Sequence, residues 1–197
     1  MFGSYPLRAW RSLAEKWREA AQTRYCLIAD GARVLPGGKI TNPQGAREAI
    51  RIGLNSWIAA ELLVFPHDGR IQIGEFCYLG DHSRVWSATQ VTIGDRVFLA
   101  HGVNVHDNDA HSTSAETRHR HFRDLVLNGE SSFVEDFSFA PVTIDDDAWI
   151  GFNSTILKGT RVGRGSIVGA CSLVTRDVPP YTIVAGNPAV VIGESRP

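Results

Sequence analysis

The sequence predicts an all-β solenoid, a stack of short parallel strands wound into coils, and three observations predict it. A β-branched residue recurs every six positions through Ile144, Ile150, Ile156, Val162, Val168 and Val174. Four residues after the first five of these stand Ala148, Ser154, Thr160, Ser166 and Ser172, a column of small side chains. Glycine follows three of the hits directly, at Gly151, Gly163 and Gly169. A helix cannot sustain a period of six, because successive hits would rotate around its axis. Short strands joined by tight turns can: each strand sends one β-branched residue inward, and three hexads close one triangular coil. Ordinary strands in a sandwich would alternate with period two but would explain neither the small column nor the glycines.

The elements follow in order. Leu7, Trp10, Leu13, Trp17 and Ala21, spaced by three and four, predict an amphipathic helix over 7–24 within an N-terminal segment 1–25. Such a helix caps a solenoid end or packs on a neighbouring subunit; docking on a membrane surface through its tryptophans is the alternative. The coil frame then runs through Ile28, Val34 and Ile40; Ile52, Ile58 and Val64; Ile73, Leu79 and Val85; and Ile93, Leu99 and Val105. With 144–161 and 162–179 this makes about six coils in a domain over 26–192, followed by a tail at 193–197. One loop, 112–140, interrupts the frame, and structureless loops beyond about 12–15 residues in a compact domain are usually functional or disordered.

Composition narrows the function. The 197 residues carry 20 Lys+Arg against 21 Asp+Glu, a net charge of -1, which removes the electrostatic case for a general nucleic-acid binder. No apolar run is long enough to span a membrane, and Met1 is not followed by a basic segment and an apolar core, so a cytoplasmic location is expected. Cys26, Cys77 and Cys171 are odd in number and far apart, pointing to neither a disulfide framework nor a cysteine zinc site.

The chemistry concentrates where coil gives way to loop. His106, Asp107, Asp109 and His111 fall within six residues. An imidazole takes and returns a proton near neutral pH, and a carboxylate on its other nitrogen fixes its tautomer. General base catalysis is one reading of the cluster, and a solvated Asp/Asn turn is the other. His101 and His106, with His82 one coil below, also resemble the zinc spacing of the γ-class carbonic anhydrases, which would need three or four converging ligands. Within the loop, Arg118, His119, Arg120, His121 and Arg123 form a basic stretch, suited to solvent or to an anionic substrate such as a nucleotide-linked sugar.

Taken together, the run from Val142 to Gly151, the stretch Ile167–Ala170, the segment Val174–Tyr181 and the ending Val184–Ala189 resemble the hexapeptide-repeat O-acetyltransferases, over about Ile71 to Ile192. The resemblance implies a left-handed parallel β-helix and a homotrimer with active sites between subunits. It also implies acetyl-CoA as the donor, with no metal. It places the general base on His111, with His106 second, and leaves Asp109 or Asp107 as the orienting carboxylate. Its donor-site pattern falls on Trp149, Gly151, Ala170, Thr175 and Arg176. Small residues there let a backbone approach a ligand, and Arg176 suits a phosphate. The acceptor pocket is expected around Asp81, His82, Arg84 and His106 together with the 112–140 loop. The function so implied is O-acetylation of a sugar hydroxyl in surface-polysaccharide or lipopolysaccharide building. Transfer to an amino sugar is the nearest rival.

Overall fold

The computed structural model describes residues 22–129 and 138–197. The helix predicted over 7–24 therefore lies almost entirely outside the described residues; Gln22 and Thr23 at its end are helical. Six coils of three strands follow: β1 (Leu27–Ile28), β2 (Arg33–Val34), β3 (Lys39–Thr41); β4 (Ile50–Ile52), β5 (Trp57–Ile58), β6 (Glu61–Val64); β7 (Ile71–Ile73), β8 (Tyr78–Leu79), β9 (Arg84–Ser87). The upper three are β10 (Val91–Ile93), β11 (Phe98–Leu99), β12 (Asn104–His106); β13 (Val142–Ile144), β14 (Trp149–Ile150), β15 (Thr155–Ile156); and β16 (Arg161–Val162), β17 (Ile167–Val168), β18 (Leu173–Val174). Strands β19 (Thr182–Ala185) and β20 (Val190–Glu194) close the stack, and one helix, α1 (Ala115–Asn128), lies in the interruption.

Every third strand pairs in parallel with its counterpart in the next coil, giving three faces. Face 1 aligns Ile28, Ile52, Ile73, Ile93, Ile144 and Val162. Face 2 aligns Val34, Ile58, Leu79, Leu99, Ile150, Val168 and Val184. Face 3 aligns Ile40, Leu62, Val85, Val105, Ile156 and Val174. Nearly all of these side chains are fully buried, so the six-residue period is the core itself. Each contributes about 1.5–3 kcal/mol of transfer free energy.

In one coil the frame slips. Val64 was expected in the face 3 column, but Leu62 holds that place and Val64 stands opposite Ser87. Only Ala59, Ala60 and Glu61 separate Ile58 from Leu62, whereas Gly80 to Arg84 separate Leu79 from Val85. The two buried alanines turn this corner two residues early, and the lengthened β6 then buries Val64 as an additional inward residue.

The small column does more than relieve crowding. Ser83 Oγ donates to the Ala100 carbonyl at 2.9 Å and accepts from the Val103 N–H at 3.0 Å. Ser154 Oγ donates to Gly169 and accepts from Ser172 in the same way, so each hydroxyl joins its coil to the next. At the corner between faces 1 and 2, Asn55, Phe76, Arg96 and Asp147 take φ of 55°, 55°, 56° and 62°, the left-handed turn that each corner needs. At the far end β20 folds back antiparallel on β19 and continues through Glu194, past the boundary expected after Ile192.

Candidate active site

The corner leading from face 3 back to face 1 carries the interruption, and a buried carboxylate ties it to the coil below. At the end of β12 the Asp107 side chain is fully buried. One oxygen accepts from the Ala88 N–H at 2.7 Å and from Asn108 Nδ2 at 2.9 Å. The other accepts from Ser87 Oγ at 2.7 Å and from the Thr89 N–H at 2.9 Å. Both oxygens are thereby filled, with three of the four bonds coming from the coil below. Asp107, one of the two carboxylates expected to orient an imidazole, instead clamps this corner to its neighbour.

Above the clamp the chain makes a tight turn. Asn108 Oδ1 accepts from the Ala110 N–H at 2.9 Å, Ala110 takes φ 60°, and the His111 N–H donates to the Asp109 carbonyl at 2.7 Å. An i to i+2 bond across a positive-φ residue is an uncommon and strained turn that needs outside support. Support comes from Phe139, which bridges Asn108, from the Asp109 N–H to the Ser138 carbonyl, and from the Ala140 N–H to the Asp107 carbonyl. Lys158, in the corner one coil above, pairs with the Asp109 carboxylate. His111 is left exposed at the tip, its ring 6.5 Å from that of His121.

His121 comes from α1, a helix within the stretch 112–140 expected as loop. Ser114 caps the helix by accepting from the Thr117 N–H at 3.3 Å, and Gly129, at φ 69°, ends it with its N–H on the Leu125 carbonyl. A capping serine and a stop glycine bracketing a stretch free of Pro and Gly were the available signals. Arg118, from the basic stretch, donates to the Ser112 and Thr113 carbonyls and so ties the helix to its own entry.

On face 3 itself, Arg84, Trp86 and His106 lie together. The Arg84 guanidinium carbon is 5.9 Å from the Trp86 ring centre, and the Trp86 and His106 rings are 5.1 Å apart. Burial lowers the His106 pKa, Arg84 lowers it further, and Asp107 opposes both. His106 is therefore held neutral.

The remaining predicted residues divide between the two edges of face 3. Asp81, His82 and Trp149 line an open cleft of about 570 Å³ at the corner between faces 2 and 3, with Tyr78, Phe98 and His101. Gly151 and Ala170 occupy the same corner higher up. A Cβ on Gly151 would come within 2.6 Å of the Ala170 nitrogen and 2.8 Å of the Val168 oxygen, so the next coil already requires glycine there, before any ligand is considered. Thr175 and Arg176 are exposed on the other edge, in the His111 corner column and two coils above it, roughly 10 Å at a strand spacing of about 4.8 Å. The five-residue step from Ala170 to Thr175 puts the two edges roughly 16 Å apart.

Of the histidines of the zinc spacing, His82 and His101 line the same cleft, His101 stacked on Phe152 at 5.2 Å, while His106 lies on face 3 against Trp86. Among the described residues no three His, Cys, Asp or Glu side chains converge as a metal would need.

Comparison with known proteins bears on this geometry. Residues 141–176 match the family described as bacterial transferase hexapeptide (six repeats). Over those residues the chain carries that family's hexapeptide repeat. It is 34% identical over 143 residues to galactoside O-acetyltransferase of Escherichia coli (strain K12), 73% of this chain and 63% of that one. A shorter stretch of 62 residues is 53% identical to 2,3,4,5-tetrahydropyridine-2,6-dicarboxylate N-acetyltransferase of Staphylococcus aureus (strain bovine RF122 / ET3-1), 32% of this chain and 26% of the relative. The hexapeptide-repeat chain thus spans less than two thirds of either relative. Among solved structures it is similar to AntD, an N-acyltransferase from Bacillus cereus in complex with dTDP and 3-hydroxybutyryl-CoA. The TM-score is 0.70 and the identity 18%, covering 94% of this chain and 89% of that. It is also similar to the hexapeptide-repeat acetyltransferase VCA0836 of Vibrio cholerae O1 biovar eltor complexed with acetyl coenzyme A, with a TM-score of 0.59 at 24% identity over 95% and 81%. The fold is the left-handed parallel β-helix.

Proposed function

We propose that this hexapeptide-repeat protein is an acetyl-CoA-dependent O-acetyltransferase acting on a sugar hydroxyl, in the cytoplasm and in the building of a surface polysaccharide or lipopolysaccharide. The observation that carries the reading is His111, exposed at the tip of a turn that residues 138–140 and Lys158 hold in place. His111 takes the acceptor hydroxyl's proton as the oxygen attacks the thioester carbonyl. The tetrahedral intermediate then collapses, the C–S bond breaks, and the proton passes to the departing coenzyme A sulfur. Asp109, paired to Lys158, fixes the turn rather than the imidazole, whose unprotonated nitrogen serves the acceptor hydroxyl.

Donor binding falls to Trp149, Gly151 and Ala170 on one edge of face 3 and to Thr175 and Arg176 on the other. With the edges roughly 16 Å apart, a single chain does not gather all of these at His111. A homotrimer, in which the Trp149 edge of one subunit meets the His111 edge of the next, brings them together. The relative that acetylates galactosides and the likeness to a structure holding acetyl coenzyme A both support this reading.

Thiol release from acetyl-CoA, measured with a panel of sugars and nucleotide sugars, is the test. Acceptor-dependent release is expected to fall at least about a hundredfold in His111→Ala, with acetyl-CoA affinity little changed; equal turnover in the variant would overturn the assignment. Transfer to nitrogen is the second reading, favoured by the 53% identity over 62 residues to an N-acetyltransferase. Release with amino sugars and none with their hydroxyl counterparts would select it.

A further inference from the structure

Charge is not spread evenly along the stack. Residues 22–56, the first coil and the start of the second, hold five cations against two anions, a net charge of +3. Residues 57–197 hold 11 cations against 17 anions, a net charge of -6. The first coil is also an end, since β1, β2 and β3 are the outermost strands of their three sheets. Its cations surround that end. Arg51 projects from face 1, Arg33 from face 2 and Lys39 from face 3, all exposed, while Arg24 and Arg47 are exposed at the corner between faces 3 and 1. Lys39 pairs with Glu61 at 3.0 Å; among the described residues the other four form no ion pair. Two of them lie against exposed rings: the guanidinium carbons of Arg24 and Arg33 are each 5.9 Å from the ring centres of Tyr25 and Trp57 respectively.

We propose that this end of the solenoid docks on the headgroup layer of an anionic membrane. A cluster of four or more Lys or Arg at one surface is drawn to anionic lipid. Tyrosine and tryptophan suit the same layer, because each ring has an apolar body and a polar tip. The cations form a rim around an end of the molecule rather than a stripe along one face, an arrangement that fits a plane better than a nucleic-acid backbone. The sequence before residue 22 adds four cations against two anions, together with Trp10 and Trp17, and so keeps the sign. In the homotrimer proposed above, cyclic symmetry turns all three ends to one side, and the three contacts add. The docking does not depend on the acetyl-transfer reading. Where that reading holds, the His111 coil lies three coils above the first, roughly 14 Å at a strand spacing of about 4.8 Å, within reach of a saccharide carried on a lipid.

Sedimentation of the full chain with vesicles, without acetyl-CoA, tests the docking. Vesicles of phosphatidylglycerol and phosphatidylcholine in equal parts are expected to bind at least about tenfold more tightly than pure phosphatidylcholine in about 0.1 M salt. Raising the salt to about 0.5 M should remove the difference, because the contact is electrostatic. Arg51→Glu and Arg33→Glu, at exposed strand positions on different faces, are each expected to weaken binding at least about fivefold, the factor for one basic residue near the surface. Arg196→Glu, exposed beyond β20 at the opposite end, changes the net charge equally and is expected to leave binding within about twofold. Equal binding to the two vesicles, including none to either, or equal losses in Arg51→Glu and Arg196→Glu, overturns the proposal. Tighter binding to duplex DNA than to the charged vesicles overturns it as well, and gives the surface to another polyanion. Thiol release with a soluble sugar is expected to be unchanged in Arg51→Glu, so failure of the docking and failure of the transfer reading show separately.

Discussion

The coils and the helix they carry differ in what holds them. Along the three faces the inward side chains stack in register from coil to coil, and serine hydroxyls stitch the corners between. Helix α1, by contrast, has no buried residue, and it leaves Phe122, Val126 and Leu127 exposed. It is held by a cap at each end and by Arg118 on its own entry. Stability therefore resides in the repeat, while the helix is free to vary in sequence without unfolding the body that carries it. His111 stands at the seam, displayed by the rigid part and facing the variable one.

Asp107 and Asp109 sharpen this contrast from two positions apart. Removing the buried Asp107 carboxylate leaves the Ala88 and Thr89 N–H groups and the Ser87 hydroxyl proton without this acceptor, each costing about 1–3 kcal/mol when left unpaired. Asp107→Ala is expected to lower unfolding free energy by about 3 kcal/mol or more. Asp109 is partly exposed and its pairing with Lys158 is screened, so Asp109→Ala is expected to cost less than about 1 kcal/mol. Its effect falls on turnover, roughly tenfold or more, because the His111 turn loses a tie. Urea titration and thiol release on the same two variants check both halves. A comparable stability loss in the two would erase the distinction between clamp and display.

That distinction was only partly legible in the sequence. The period of six is written in side chains whose single job is to point inward, so face 1 and face 2 columns could be read without coordinates. The slip at Leu62 could not, because Ala59 and Ala60 look like one more small pair and the shortened corner shows only when the coils are stacked. Similarly, Asp107 and Asp109 look alike in sequence, and only burial separates them. The division of the predicted site residues between two edges of face 3 is a product of winding, which spacing along the chain does not report.

The helix cap offers a smaller effect. Ser114→Ala removes the side-chain acceptor of the Thr117 N–H, worth about 1 kcal/mol to the helix. Since α1 contributes no buried residue, the loss is expected to stay local. Hydrogen exchange of the α1 amides should quicken about fivefold for 1 kcal/mol, with the urea midpoint of the whole protein unmoved. A lowered midpoint would mean that helix and coils unfold as one unit.

The least effect, and the one that reaches furthest into face 3, concerns pH. His106 has a lowered pKa in the folded protein, from burial first and the Arg84 charge second, with Asp107 pulling the other way. The unfolded chain, with an ordinary imidazole near pKa 6.5, binds that proton at higher pH than the native protein does. Stability is therefore full above about pH 6.5 and falls as the pH drops toward the folded value. His106→Gln removes the proton-binding difference and should flatten that part of the profile. Urea midpoints at pH 7.5 and pH 5.5 give the comparison: wild type is expected to lose more on acidification than the variant. The interval stops short of the range in which ordinary carboxylates take up most of their protons, which keeps the difference assignable to this imidazole. An equal loss in both proteins would show that Asp107 offsets burial and Arg84 fully. His106 would then be as free to carry a proton as an exposed histidine, and the case for treating it as a neutral member of face 3 would end.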